Sequence, residues 1–111
     1  MRTVFHLSTD DTDRQSELLG NIQNLLDDEE TRVENIAVVL NAEAVTMIQK
    51  ESEASEFIKE FPEKVSFYAC SNSLENAGLD ESETLEKVTK VSSGVGKLTK
   101  LQDSGYSYIR I

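Results

Sequence analysis

The chain contains no tryptophan, one proline, one histidine and one cysteine, and only 6% of its residues are aromatic. A single cysteine closes no internal disulfide, so the fold must stand on its hydrophobic core, and a reducing compartment is the expected setting. One histidine and one cysteine, with no CxxC or HxxxH spacing, give no zinc site, and no metal or other cofactor is expected. Basic residues are also scarce: 11 against 21 acidic ones set the net charge at −10. Such a field repels phosphates and anionic lipid, which argues against nucleic-acid and membrane partners. No apolar run approaches the roughly 18 residues of a bilayer span. Met1 to His6 run directly into a strand-like pattern with no leader-type sequence, so a cytoplasmic protein is expected.

With 111 residues, 38% hydrophobic and 29% charged, the chain has the size and balance of a single domain over residues 1–111. Its acids gather at Asp10–Asp13, Asp27–Glu30 and Asp80–Glu86. Solubility alone accounts for them. A salt-rich cytosol is the sharper reading, and it requires a thermal midpoint that keeps rising into molar salt.

The apolar pattern alternates between two periods. Val4–Leu7 reads as a strand, and Thr12 with Gln15 forms a capping-box signature for a helix. Leu18, Leu19, Ile22, Leu25 and Leu26 give that helix one apolar face. Ile36–Leu40 is unbroken, as in a strand buried on both sides of a parallel sheet. Ala44, Ile48, Ala54, Ile58 and Phe61 mark a second helix, interrupted around Lys50–Ser55 and stopped by Pro62. Val65–Cys70 is a third strand. A short helix follows over Asn72–Asn76, with Gly78 as its terminator, and a polar loop with a helical turn covers Asp80–Glu86. Val88–Ser92 is a weaker strand, Val95, Leu98 and Leu101 stripe a last helix, and Tyr106–Ile111 closes as a strand. The order β-α-β-α-β-α-β-α-β predicts an α/β three-layer sandwich: a mostly parallel five-stranded sheet with helices on both faces.

Cys70 is the first candidate for chemistry. It ends a buried strand and precedes Ser71-Asn72-Ser73 at a helix start, where N–H donors favour thiolate over thiol. Its plainer reading is a buried structural cysteine. His6 and Asn41 end strands on the same predicted edge, where open parallel sheets bind ligands. His6 reads either as a proton donor beside a thiolate or as a structural histidine. Asn21 and Asn24 flank the stripe of the first helix, and buried amides need partners, so they either tie loops or line a pocket. Gly94-Val95-Gly96 opens a helix after a strand, but Thr99 replaces the third glycine of a dinucleotide fingerprint. Gly94 then permits a tight turn, with Ser92 and Ser93 near a small-anion position. Asp10, Asp11 and Asp13 do not continue into a calcium loop and read as helix-start acids.

These residues resemble the DsrE/DsrF-like family, in particular its small stand-alone, YchN-like branch. The carriers are Val4-Phe5-His6, Asn21 and Asn24 before Leu25-Leu26, and Val38-Val39-Leu40-Asn41 with Glu43-Ala44-Val45. Ala69-Cys70-Ser71-Asn72-Ser73-Leu74 and the run from Ser93-Gly94-Val95 through Leu101-Gln102 to Gly105–Ile109 complete them. The resemblance implies trimers or hexamers and a group that relays sulfane sulfur, with a cysteine matching Cys70 holding a persulfide. Ala42 departs from a glycine common after the second strand, and Ser71 from a glycine or asparagine after the cysteine.

Three functions are therefore expected in order. The first is a sulfur carrier with a persulfide on Cys70, its pocket formed by Ser71, Asn72, Ser73, His6 and Asn41. Without a second cysteine, it would exchange with an external donor or acceptor protein. The second is a non-catalytic oligomeric module binding a small anion or nucleotide at the strand edge. The third is a structural homo-oligomer without ligand.

Overall fold

A computed structural model describes Met1–Ile111. Five strands, β1 (Arg2–Leu7), β2 (Asn35–Leu40), β3 (Val65–Cys70), β4 (Thr89–Val91) and β5 (Ser107–Arg110), pair in the order β4-β3-β2-β1-β5. Every pairing is parallel, so the sheet is wholly rather than mostly parallel. The unbroken apolar run sits where the pattern required it. β2 is central, and Ile36 to Leu40 are all buried.

Helix placement follows from strand order. From β1 to β2, β3 and β4 the chain steps across the sheet in one direction, and right-handed crossovers then put every intervening helix on one face. These are α1 (Thr12–Asp27), a 3-10 segment (Ala42–Ile48), α2 (Ser55–Glu60) and α3 (Ser71–Asn76). The last crossover returns from β4 to β5 across the whole sheet. The reversed direction places α4 (Gly94–Asp103) on the opposite face. The two cores record this division. One contains Leu18, Ile22, Ile58 and Leu74 with Phe5, Val38 and Phe67; the other contains Leu98 and Leu101 with Val4, Ala37 and Val39. Alternate strand residues serve alternate faces.

Two local expectations, the cap of the first helix and the length of the fourth strand, are corrected, and the interruption of the second helix gains a cause. The cap of α1 is Asp11, whose carboxylate accepts the Asp13 N–H at 3.1 Å, and Gln15 reaches the Asp10 carbonyl instead of closing a box with Thr12. The second helix is interrupted where expected, which leaves two pieces. Between them Gln49 bridges Thr84, Lys50 N–H donates to Glu83 and Leu85 N–H donates to the Ile48 carbonyl. Those backbone groups are committed across the chain, so no continuous helix forms there. The fourth strand is shorter than Val88–Ser92, covering Thr89–Val91. The terminator is as expected: Gly78 takes φ +69° after α3, a region glycine enters without a Cβ penalty. No helix is long and apolar enough to cross a membrane.

Candidate functional site

Cys70 is the last residue of β3 and the cap position of α3. Val65, Phe67 and Ala69 belong to the larger core, so alternation turns Cys70 toward α4. β3 leads into α3 on one face and neighbouring β4 leads into α4 on the other. The carboxyl ends of these strands therefore form the switch point at which open α/β sheets place ligands. Cys70 and Val91 are paired there across the two strands.

Donors from both helices meet the sulfur. Burial, the largest single influence, raises the Cys70 thiol pKa. The N–H groups of Ser73, Gly94 and Asn72 and the Ser73 hydroxyl act the other way, and together they hold it below the ordinary 9.0. The residue is 8% exposed. Ser73 has a double role: its oxygen accepts the Ala42 N–H at 2.7 Å, which leaves the O–H to point at sulfur. Ala42 itself sits at φ +50°. The left-handed turn explains why glycine suits this position, and alanine holds it under strain.

Gly94 is confined. A Cβ there would lie 3.2 Å from the Asn41 Cβ, 3.5 Å from the Cys70 Cβ and 3.6 Å from a Val39 methyl. Its absence lets the start of α4 approach and bring its N–H to the thiol. Asn41 in turn accepts from His6 Nε2 at 3.0 Å, while His6 Nδ1 lies 2.6 Å from the Tyr108 hydroxyl. In the tautomer with the proton on Nε2, Nδ1 accepts from the Tyr108 hydroxyl. Tyr108, His6, Asn41, Gly94 and Cys70 thus form a row from β5 to β3 along the carboxyl edge.

The fold brings together Cys70, Asn72, Ser73, Gly94, Asn41 and His6, with His6 linked to the thiol only through Asn41 and Gly94. Asn72 contributes its backbone while its side chain is exposed, and Ser71 follows the cysteine half-buried. Asn21 and Asn24 are elsewhere: α1 packs on the opposite face from Cys70. Tyr108 and Ala42 were missed as site residues. Parallel pairing of β5 with β1 puts Tyr108 beside Val4 and on the His6 side of the sheet, a register that the uniformly exposed β5 pattern does not announce.

Solved structures with this architecture include MTH1491 of Methanobacterium thermoautotrophicum, a protein of unknown function. It is 40% identical, with a TM-score of 0.91, covering 99% of this chain and 98% of that one. BT1422 of Bacteroides thetaiotaomicron, also of unknown function, is 20% identical with a TM-score of 0.78 over 99% and 94%. The ychN protein of E. coli is 12% identical with a TM-score of 0.78 over the full length of both chains. These last two share the fold. No curated protein matches the chain. The profile of the DsrE/DsrF-like family matches residues 2–111, and the chain belongs to that family.

Proposed function

We propose that the protein carries sulfane sulfur as a persulfide on Cys70, within a reducing compartment. The observation behind this reading is the convergence of N–H donors from α3 and α4 on one thiol at the switch point, where burial alone would have pushed its pKa up. Family membership supports it. The Cys70 thiolate attacks the outer sulfur of a donor persulfide. A bond forms between Sγ and that sulfur, the donor's own S–S bond breaks, and the donor leaves as a thiolate with the bonding pair. The same donors that favour the thiolate then stabilise the terminal persulfide anion. No second cysteine is present to resolve it, so an external thiolate must attack and complete the transfer.

Self-association belongs to the same proposal. β5 is an edge strand exposed along all four residues, with Tyr108 and Ile109 about two-fifths exposed and Val95 two-thirds exposed on α4. A trimer or hexamer would cover such an edge; light scattering that finds a monomer across salt concentrations removes this part.

The test of the carrier role is treatment of the native protein with a small persulfide donor, followed by intact mass. Wild type gains one sulfur on Cys70, removable by reductant, and C70S gains none. The alkylation rate against pH has its midpoint below 9.0. A thiol that reacts only after unfolding ends the proposal.

A further inference from the structure

Charge is unevenly placed in this acidic chain. From Lys87 to Gln102 there are four lysines and no Asp or Glu. This stretch contains β4 and nearly all of α4, and so forms one side of the Cys70 switch point. A cavity of about 210 Å³ lies there, lined by Val91, Ser92, Ser93, Gly96, Lys97 and Lys100. Each of the other four principal cavities has at least one glutamate in its wall: Glu51 and Glu83, Glu60, Glu81 and Glu86, or Glu53. This one has two lysines and no carboxylate.

Its positive character comes from side chains. The Gly96 N–H is already taken by the Ser93 hydroxyl and the Lys97 N–H by the Ser93 carbonyl, both at 3.0 Å. The Lys97 ammonium is held 4.3 Å above the Tyr68 ring centroid. Tyr68 precedes Cys70 by two residues on the same face of β3, roughly 7 Å along the strand. Val91 in the cavity wall is the register partner of Cys70, and Ser93 and Gly96 flank Gly94, which touches it. The cavity thus adjoins the Cys70 end of β3 through Val91, its neighbour on the paired strand.

Resting on the carrier reading, we propose that the cavity between β4 and α4 holds the anionic end of the molecule that exchanges sulfur with Cys70. That molecule is a small persulfide or thiol bearing a carboxylate or comparable anion. The net charge of −10 would otherwise repel it. Lys97 and Lys100 invert the local field where the reacting sulfur must arrive, and select anionic partners over neutral ones.

Two alkylating reagents of nearly equal size separate this from the carrier role: anionic iodoacetate and neutral iodoacetamide. Their rate ratio at Cys70 cancels the thiolate fraction, which affects both alike. In wild type, iodoacetate is favoured relative to its ratio with a small free thiol. Lys97→Gln with Lys100→Gln lowers the iodoacetate rate roughly fivefold, a size set by Coulomb attraction in high dielectric. Iodoacetamide stays within about twofold of wild type, and the iodoacetate effect fades with added salt. Inorganic phosphate slows iodoacetate more than iodoacetamide. Lys100→Gln alone gives a partial effect and covers the case in which loss of the Lys97–Tyr68 contact disturbs folding. Lys59→Gln, an equal charge change on α2, leaves the ratio unchanged. A ratio insensitive to the α4 lysines, or equally sensitive to Lys59, overturns the anion site while leaving the carrier reading intact. If neither reagent reacts with the native protein, the carrier reading falls first.

Discussion

Under α1, the 3-10 segment, α2 and α3, the sheet buries a continuous cluster of 22 apolar residues, whereas under α4 it buries five. The sparse side is also the side where His6, Asn41, Tyr108 and Cys70 meet. Apolar packing is non-directional, and a broad core tolerates small errors at any one position. A polar row is different: each buried member depends on its neighbour for a partner, and one loss strands another. The fold therefore concentrates its stability on one face and its directional chemistry on the other. Strand order alone causes the imbalance, since only one of four crossovers runs backward.

The strongest way to break this comparison is to make the same change on both faces. Leu18, fully buried in the larger core, and Leu98, 6% exposed in the smaller, are both leucines on helices facing the sheet. Leu18→Ala is expected to cost about 4 kcal/mol and Leu98→Ala about 2 to 3 kcal/mol, at the two ends of the range for such truncations. Urea unfolding measures both. Equal costs would mean that the narrow face contributes as much to stability as the broad one, and the division of labour would be lost.

A second change sharpens the comparison at the site. Gly94→Ala places a methyl against Asn41 and Cys70, 3.2 Å from the Asn41 Cβ and 3.5 Å from the Cys70 Cβ unless something shifts. Neither neighbour can yield freely, because Asn41 is tied to His6 and Cys70 is the last residue of β3, paired with Val91 of β4. The start of α4 must shift, at a cost of about 1 to 3 kcal/mol. One N–H donor then leaves the sulfur, and the alkylation midpoint of Cys70 rises relative to wild type. An unchanged midpoint in a folded variant would show that Gly94 only makes space.

Much of this was legible in the sequence, and the boundary follows physical range. Ile36–Leu40 announced a central strand because burial on both faces leaves no polar position in the pattern. The βα alternation and right-handed crossovers gave the layers. Cys70, Ser73, Gly94, Asn41 and His6 were placed on one edge because strand ends in a parallel sheet share an edge. What was lost is what depends on the far side of the chain. The break between the 3-10 segment and α2 is expected from the polar stretch Lys50–Ser55, but its cause is backbone pairing with Glu83 and Leu85, some 35 residues later. Asn21 and Asn24 looked like pocket residues because periodicity shows which stripe is apolar but not which face of the sheet receives it. Ala42 was noticed only as a departure from glycine. Its φ of +50° supplies the reason.

The smallest expected effect is a slope. The Cys70 thiol is held below 9.0 in the folded protein, while the unfolded chain releases it to the ordinary value. Between those two values the unfolded state binds more protons, so unfolding free energy increases with pH. The contribution is complete above 9.0 and is lost as pH falls through the folded value. Cys70→Ala removes this titration and leaves the lysines, tyrosines and carboxylates common to both proteins. Subtracting the variant's unfolding free energy from that of wild type should therefore give a line that is flat in mild acid and climbs on approaching pH 9.0. A difference that falls over this interval would mean that burial outweighs the Ser73, Gly94 and Asn72 donors. The thiol would then ionise less readily than an ordinary cysteine, and the narrow face would hold a structural cysteine instead of an activated one.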